Sequence, residues 1–363
     1  MASIRKYKAK SARRGYLWRV QYRSADGRSR TKQGFPTRDA AQAWAEKNAT
    51  EVRTGDWLDP SSGKVTVSEL REAWEAAMTH LKPKTKHEAL AMWRRSVEPE
   101  WGRRQVATIR PSEVQAWVST MEQGPSYVRQ AHAVLAQVLD VAVGDRAIKL
   151  NPARGVRLPR KERGVKVYLT MDQLVAFAAE STHPEIIWLL GTVGLRWGEM
   201  AVLRPQDVDV LRRRIRVERA SVTVGSEIVI GTPKTHERRT VMVPGAVMDM
   251  LVPVMDGRAP DELIWPSRTG EPKRPPTHGS WYYGALARIQ SRDPEFPWVT
   301  PHGLRHVAAG LMVSEHANVL AVCRQLGHAS PMMTLDTYAE LFTEDLEALG
   351  ERMDEVVRAA RHG

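Results

Sequence analysis

The sequence has little cysteine: Cys323 is the one thiol among its 363 residues. A single thiol excludes an internal disulfide and a zinc site built from several cysteines, and it fits a reducing cytoplasm. Leu320, Val322 and Leu326 lie close to Cys323 in the sequence. We therefore expect the thiol to pack in a core.

The sequence also lacks a long apolar run. A helix needs about 20 apolar residues to cross a membrane, and the longest candidate, Ile186 to Leu195, is much shorter. We expect a buried helix there and no membrane attachment. Acidic residues are absent from the first 24 residues, as in transit peptides. Because these residues run directly into an aromatic strand, we interpret them as part of a folded module.

Positive charge, in contrast, is abundant. The chain has 54 Lys and Arg against 42 Asp and Glu, a formal net charge of +12. This excess favours a polyanionic partner, although charge alone does not separate DNA from RNA or anionic lipid. Residues 1–64 hold 15 Lys and Arg and six Asp and Glu. Most of the excess therefore lies in the first sixth of the chain.

Residues 1–64 have the pattern of a small strand–strand–helix domain. Apolar and polar residues alternate from Tyr16 to Arg23, which predicts a half-buried strand, and Ser29 to Phe35 predicts the return strand of a hairpin. Thr37 is expected to cap a helix that places Trp44 against the sheet. The other face of the sheet is predicted to be basic and carries Arg19, Arg23, Arg28, Arg30 and Lys32. Such a face can simply be solvated, but a basic ribbon can also lie in a DNA groove.

Residues 65–150 predict helices only. We expect helices capped at Ser68 and Thr85, one that opens at Pro111, and one from about Tyr127 to Val143. Their tryptophans at helical spacing are more typical of a core than of a nucleotide-stacking platform. Residues 151–166 are polar and basic, which predicts a linker.

Residues 167–363 begin with a predicted capping box at Thr170. Helices are expected on either side of a β-rich stretch, residues 214–243, and they continue to the end of the chain. Arg196 follows a glycine turn and opens a predicted helix. Lys234 lies between two strand-like runs, as the tip of a hairpin would.

The stretch from Thr300 to Leu341 concentrates polar groups at predicted helix ends. His302 and Arg305 follow Pro301 in a first helical turn, His328 follows Gly327 at a helix end, and Thr334 can cap the next helix. Helix N-termini favour anions, and a tyrosine beside cationic groups suggests a nucleophile attacking a negative centre. That tyrosine is Tyr338.

A zinc site is the competing interpretation of this stretch, because His302 and His306 are four residues apart. Gly303, however, stands where a metalloprotease helix would carry its glutamate. We therefore expect no metal.

Six residues in this order resemble the catalytic set of the tyrosine recombinases, the phage integrase family: Arg196, Lys234, His302, Arg305, His328 and Tyr338. The resemblance is specific, since it includes an arginine box, a His-x-x-Arg box and a ten-residue spacing between His328 and Tyr338. Gly303 and Val307 depart from the Asp and Thr common around the second arginine. This departure affects local hydrogen bonding rather than the chemistry.

The resemblance implies a multidomain, mainly α protein with α+β parts. Residues 1–64 would be an arm-type DNA-binding domain, 65–150 a helical core-binding domain, 151–166 a basic linker and 167–363 the α+β catalytic domain. The core-binding domain would contact DNA through Lys82, Lys84, Lys86, Arg94, Arg95 and Arg129.

The resemblance also implies the reaction. Tyr338 would attack a phosphate held by Arg196 and Arg305 and form a 3′-phosphotyrosine, while Lys234 would protonate the leaving 5′ oxygen. His302 would assist proton transfer at Tyr338, His328 would bond the phosphate, and Glu199 would support Arg196.

Neither metal nor nucleotide would be needed, because the phosphotyrosine keeps the bond energy. The expected partners are double-stranded core-type and arm-type attachment sites and further copies of the chain, as a tetramer. A directionality factor and a host DNA-bending protein would be accessory partners in the bacterial cytoplasm.

Two alternatives stay open on the sequence. A type IB topoisomerase would use the same nucleophile to relax supercoils, and an inactive relative would only bind DNA. The basic N-terminal domain favours an integrase, and the complete residue set argues against an inactive protein. The sequence does not separate a phage gene from a genomic island.

Overall fold

The computed structural model describes residues 2–9, 15–59, 61–161, 166–233, 238–338 and 345–362. The chain divides into two compact units, residues 1–162 and 163–363. The strands are β1 (Ser3–Lys8), β2 (Tyr16–Arg23), β3 (Ser29–Phe35), β4 (Val208–Asp209), β5 (Arg214–Val217), β6 (Ala220–Val224), β7 (Glu227–Gly231) and β8 (Arg239–Met242).

The helices of the first unit are α1 (Arg38–Thr54), α2 (Arg71–Ala76), α3 (Pro83–Met92), α4 (Glu98–Trp101), α5 (Pro111–Thr120) and α6 (Pro125–Gly144). Those of the second are α7 (Met171–Glu180), α8 (Pro184–Trp188), α9 (Trp197–Met200), α10 (Gly245–Met255), α11 (Trp281–Gln290), α12 (Pro301–Ser314), α13 (Val319–Leu326), α14 (Pro331–Tyr338) and α15 (Asp345–His362). Mainly helical units with small antiparallel sheets confirm the predicted fold class. No described helix is long and apolar enough to cross a membrane.

The N-terminal sheet has the antiparallel order β1-β2-β3, with α1 packed on it. Its core contains Val20, Tyr22 and Ala41. Thr37 accepts a hydrogen bond from Ala40 N and caps α1 as predicted. Strand β1 was not predicted, because its sequence, Ser-Ile-Arg-Lys-Tyr-Lys, has one aliphatic residue and no sustained alternation.

The prediction of one basic face on this sheet was wrong for Arg30 and Lys32. Opposite residues of an antiparallel pair share a face, and Arg30 pairs with Tyr22 while Lys32 pairs with Val20, both core residues. Arg30 donates to both carboxylate oxygens of Asp59, at 2.7 and 2.5 Å. The Arg30 guanidinium is therefore bound to a carboxylate of the first unit.

The remaining basic residues of the set lie differently. Arg19 pairs with Gln33 and Arg23 with Ser29, so these two arginines lie on the face opposite the core. Arg28 lies in the turn before β3. DNA contact by any of them stays a prediction.

The helical part of the first unit has its own core, in which α6 supplies the long buried face. Two predicted caps were wrong. Ser68 lies within a short 3₁₀ turn, Ser68–Leu70, and α3 begins at Pro83 rather than after Thr85. Proline has no N–H to leave unpaired in a first turn and its φ is already helical, so Pro83 sets the start of α3.

In the second unit the strands form two sheets, with the orders β4-β5-β8 and β6-β7. Strands β6 and β7 form a hairpin with five paired positions, whereas β8 pairs with β5. Strands β7 and β8 are therefore not the two arms of one hairpin. The prediction that places Lys234 at a hairpin tip falls on a stretch that the structure does not describe. Residues 234–237 lie outside the described residues.

Candidate active site

Arg196 is held at the start of α9 by the turn before it. Gly194 has φ +77°, and a Cβ there would lie 2.5 Å from the Leu326 side chain. The left-handed backbone favours glycine at this position. Arg196 is the N-cap of α9, at the helix start that the sequence predicted. Its backbone N–H donates to Glu199 Oε2 at 2.9 Å and its Nη1 donates to Oε1 at 2.9 Å.

Glu199 binds a second arginine that sequence reasoning missed. Its carboxylate is 1% exposed and accepts from Arg239 Nη1 at 3.0 Å and Nη2 at 2.8 Å. Burial alone would raise the pKa of Glu199, but hydrogen bonding and charge from Arg239, together with Arg196, lower that pKa to about 2. These contacts show how Glu199 can hold Arg196 in position, the supporting role that was expected of it.

Replacing Glu199 by glutamine should destabilise the second unit. Loss of one partner from a buried ion pair costs about 3–5 kcal/mol, because the remaining charge is left uncompensated. We expect a lower urea midpoint for Glu199→Gln and partial recovery in Glu199→Gln/Arg239→Met, which removes one unpaired cation. Glu227→Gln, at an exposed position on β7, is the matched control. An unchanged midpoint for Glu199→Gln would contradict the buried-clamp interpretation.

Arg305 joins three segments of the second unit. Thr300 caps α12 by accepting from Gly303 N at 3.0 Å, and Pro301 begins the helix as predicted. Arg305 is 2% exposed and donates to the carbonyl oxygens of Gly194, at 2.7 Å, and Leu326. Burial, followed by the charge of Arg196, lowers the pKa of Arg305 to about 9.

These side chains leave positive charge in excess. In the part of the chain that the structure describes, Glu199 is the carboxylate of this largely buried cluster. It pairs with Arg196 and Arg239 and acts on Arg305 only through its charge. Guanidinium groups carry planar sets of donors that match phosphate oxygens. The cluster is therefore suited to an anion.

Tyr338 is the buried aromatic next to this cluster. It is 1% exposed and packs with Ala309, Val313, Val322 and Leu326. Burial raises its pKa to about 12, although Arg305 acts in the opposite direction. The phenol is therefore protonated at rest.

The hydroxyl of Tyr338 meets a histidine that the sequence analysis did not select. His306 Nδ1 lies 2.9 Å from Tyr338 Oη, while the His302 ring packs edge-on against His306, with centroids 5.3 Å apart. The four-residue spacing that suggested zinc, one helical turn, was the available signal. Among the described residues, no cluster of three or more potential ligands could hold a metal ion.

His328 lies parallel to the Tyr338 ring, with centroids 6.2 Å apart and an interplanar angle of 9°. It follows Gly327, which ends α13 in a left-handed conformation as predicted. The prediction that Thr334 caps a helix was wrong: α14 begins at Pro331, and the fully buried Thr334 hydroxyl lies 2.8 Å from His328 Nδ1. Thr334 thus orients the imidazole.

His306 and His328, the two histidines in contact with Tyr338, are uncharged near neutral pH. Burial, followed by neighbouring charges, lowers the pKa values of His306 and His328 from 6.5 to about 4. The neighbouring groups are His302, Lys166 and Arg305 for His306, and Arg305, Arg196, His306 and Arg239 for His328. A neutral imidazole retains one nitrogen as a proton acceptor.

The free energy of unfolding should depend on pH through these two histidines. The unfolded chain binds protons at these imidazoles near pH 6.5, whereas the folded chain binds them near pH 4. The contribution is thus complete above pH 6.5 and is lost as the pH falls toward 4. We expect urea unfolding at pH 5 to show a loss of roughly 1–3 kcal/mol after allowance for solvent screening. A His306→Asn/His328→Asn chain should lose less over the same range, and equal losses would contradict the assignment.

Lys166 is a second residue that the sequence analysis placed elsewhere, at the end of the linker. Its Nζ donates to the carbonyl oxygen of Thr337 and lies 5.7 Å from the centroid of the Tyr338 ring. A contact across so many residues has no local sequence signal. Lys166 therefore holds the C-terminal end of α14 and adds positive charge beside the phenol.

The structure brings together five of the six predicted catalytic residues: Arg196, His302, Arg305, His328 and Tyr338. Lys234, the sixth, lies outside the described residues. In the predicted core-binding set, Lys86 pairs with Glu75 at 3.4 Å, Lys84 lies 3.8 Å from Glu88 and Arg129 donates to Pro159 O at 3.3 Å. Lys82 immediately precedes α3, and Arg94 and Arg95 are exposed on a π turn. Their contact with DNA stays a prediction.

Comparisons with known proteins all indicate the same family. A sequence profile described as the phage integrase family matches residues 169–345. The chain is 28% identical over 340 residues to the integrase of Mycobacterium phage D29, and the alignment covers 89% of each protein. Relatives with this name align along most of the chain, so the topoisomerase and inactive-binder alternatives are not favoured.

Solved structures show a similar fold. The Tn1549 transposon integrase in complex with a circular intermediate DNA has a TM-score of 0.68 at 22% identity, covering 79% of this chain and 99% of the solved one. A lambda integrase tetramer bound to a Holliday junction has a TM-score of 0.57 at 17% identity, covering 90% and 96%. At these identities the likeness supports the fold.

Proposed function

Because this chain is a tyrosine recombinase of the phage integrase family, we propose that it cleaves and rejoins double-stranded DNA through a 3′-phosphotyrosine at Tyr338. The observation that carries this proposal is the cluster around Glu199: surplus guanidinium charge beside a buried tyrosine. Phosphoryl transfer places charge on the non-bridging oxygens, and fixed cations stabilise that charge where it develops.

Each residue has a place in the proposed reaction. Arg196 and Arg305 hold the non-bridging oxygens, and Tyr338 Oη forms a bond to phosphorus as the bond to the 5′ oxygen breaks. Lys234 supplies the proton that the 5′ oxygen takes up. His302 assists proton movement on the tyrosine side.

His328 is suited to hydrogen-bond the phosphate because of Thr334. If the Thr334 hydroxyl donates to Nδ1 across the 2.8 Å contact, the proton of the neutral imidazole resides on Nε2. The Nε2–H group is then available to a phosphate oxygen. The buried Thr334 hydroxyl thus decides that the His328 proton is on Nε2, facing away from Thr334.

A nicked suicide substrate tests the proposal. The full chain should become covalently attached to the 3′ side of the cleaved strand, in excess chelator as well as without it. Denaturing gels separate this species from noncovalent complexes. The absence of attachment to any attachment-site DNA that the chain binds would overturn the proposal.

We further propose that the chain acts as a tetramer on core-type DNA sites in the bacterial cytoplasm. The lambda integrase tetramer on a Holliday junction supports this arrangement. A directionality factor and a host DNA-bending protein are proposed as accessory partners. Analytical ultracentrifugation of the chain on a synthetic four-way junction would measure the number of copies.

Arm-type binding is proposed for the N-terminal domain through Arg19 and Arg23. Both lie on the face opposite the core, and each phosphate contact adds about 0.9 to the slope of log affinity against log salt. Arg19→Ala should weaken binding to arm-site DNA and reduce this slope by about 0.9, while suicide-substrate cleavage of core DNA persists. Lys47→Ala, an exposed position on α1, is the charge-matched control.

A chain beginning at Lys64 should likewise cleave core DNA but fail to recombine an intact attachment site. If it recombines full sites as well as the whole chain does, two-site binding is wrong. Arg30→Ala is a different test, because Arg30 is held by Asp59. Its expected effect is on the stability of the domain.

A further inference from the structure

The buried position of Tyr338 makes the removal of its proton a problem that the protein must solve. The side chain is 1% exposed, so water does not reach the hydroxyl freely. Attack on phosphorus converts the phenol into a phosphoester oxygen, which requires the proton to leave. A group that contacts Oη must therefore accept it.

His306 has the geometry for this task. Its Nδ1 lies 2.9 Å from Oη, within hydrogen-bonding distance. It follows Arg305 directly on α12, and Arg305 is fixed by the carbonyl oxygens of Gly194 and Leu326. The same helix turn thus places both a predicted phosphate ligand and the partner of the nucleophile.

The other groups around Tyr338 are less suited to accept a proton. His328 is stacked against the ring, and its Nδ1 is engaged with Thr334. The Lys166 ammonium and the Arg305 guanidinium already carry their protons, and such groups have no acceptor site. His306 is the described group that combines a direct contact with an available lone pair.

We propose that His306 accepts the proton of Tyr338 as Oη attacks the scissile phosphate. The inference rests on the proposed function. In the forward step the Oη–P bond forms, the bond from phosphorus to the 5′ oxygen breaks, and the Oη proton moves to Nδ1. In the reverse step a 5′ hydroxyl attacks phosphorus and gives its proton back to the Lys234 amine, the Oη–P bond breaks, and the imidazolium returns its proton to Oη.

This pairing also gates the nucleophile. Without DNA, the imidazole has a pKa of about 4 and the phenol a pKa of about 12, so the proton stays on Tyr338. A bound phosphate places negative charge near His306, which favours the imidazolium. A phosphate in the site therefore favours transfer of the phenol proton to His306.

The test combines His306→Asn with a tyrosine analogue at position 338. Asparagine retains an oxygen acceptor close to the position of Nδ1 but cannot carry the proton. In single-turnover reactions on a suicide substrate, His306→Asn should slow covalent attachment by about 10²–10⁴-fold, the usual effect of losing a general base. Thermal unfolding and site-DNA binding identify any loss of fold, and His306→Gln provides a second variant if His306→Asn is unstable.

A fluorinated tyrosine at position 338, ionised at the assay pH, distinguishes proton acceptance from positioning. With the proton already lost, the His306→Asn defect should shrink to less than about tenfold. An Arg196→Lys defect should persist with the same analogue, because it concerns the phosphate. A His306→Asn defect of equal size with both nucleophiles, or no defect with ordinary tyrosine, would overturn the proposal. Tyr338→Phe in the same assay tests the proposed function separately.

Discussion

Tyr338→Phe is expected to bind attachment-site DNA as the unchanged chain does, yet to yield no covalent complex on a nicked suicide substrate. The substitution removes one oxygen and leaves the ring in its apolar cluster, against His328. The lost hydrogen bond to His306 costs only about 1 kcal/mol of stability. The proposed nucleophile, in contrast, is lost completely.

The measurement is the fraction of labelled DNA attached to protein on a denaturing gel, with binding followed separately by mobility shift. Tyr283→Phe is the matched control. It removes a hydroxyl from a half-buried tyrosine stacked on Trp298, with ring centroids 5.3 Å apart. Attachment by Tyr338→Phe at the level of the unchanged chain would exclude Tyr338 as the nucleophile.

The sequence predicted those parts of the site that depend on local backbone rules. Gly194 and Pro301 set a turn and a helix start within a few residues, and these fix where Arg196 and Arg305 lie. Such preferences come from sterics along the chain itself. They can therefore be recognised without knowing what packs against the segment.

Pairings between distant segments were not predictable in this way. Arg239 meets Glu199 across 40 residues, and His306 meets Tyr338 across 32. The sequence contains many arginines and several histidines, and nothing local distinguishes the ones that meet. For His306 and Tyr338, the packing of α12 against α13 and α14 decides which residues meet.

Side chains that can serve two purposes were a second source of error. Thr334 was expected to cap a helix, but burial beside His328 gives its hydroxyl another partner. The pattern of β3 alone does not show which face of the sheet carries Arg30. The cross-strand register places it opposite Tyr22, on the core face. Register depends on the partner strand, which a single-strand pattern does not contain.

Lys234→Ala is expected to slow strand cleavage by about 10²–10⁴-fold, the usual effect of losing a general acid. Lys234 comes five positions before Arg239, which is bound to Glu199. An extended chain spans at most about 3.6 Å per residue, so five positions reach no farther than roughly 18 Å from Arg239. An ammonium on a long side chain can then reach a leaving oxygen and donate a proton.

Replacing the bridging 5′ oxygen by sulfur tests this role directly, because a thiolate leaves without a proton. The Lys234→Ala chain should cleave the sulfur substrate at nearly the rate of the unchanged chain, whereas Tyr338→Phe should gain nothing from sulfur. Arg238→Ala removes one positive charge at an exposed position beside the same connection and should leave both rates nearly unchanged. If the Lys234→Ala defect is as large with sulfur as with oxygen, Lys234 acts on the phosphate or on DNA binding, and the leaving oxygen takes its proton from another group.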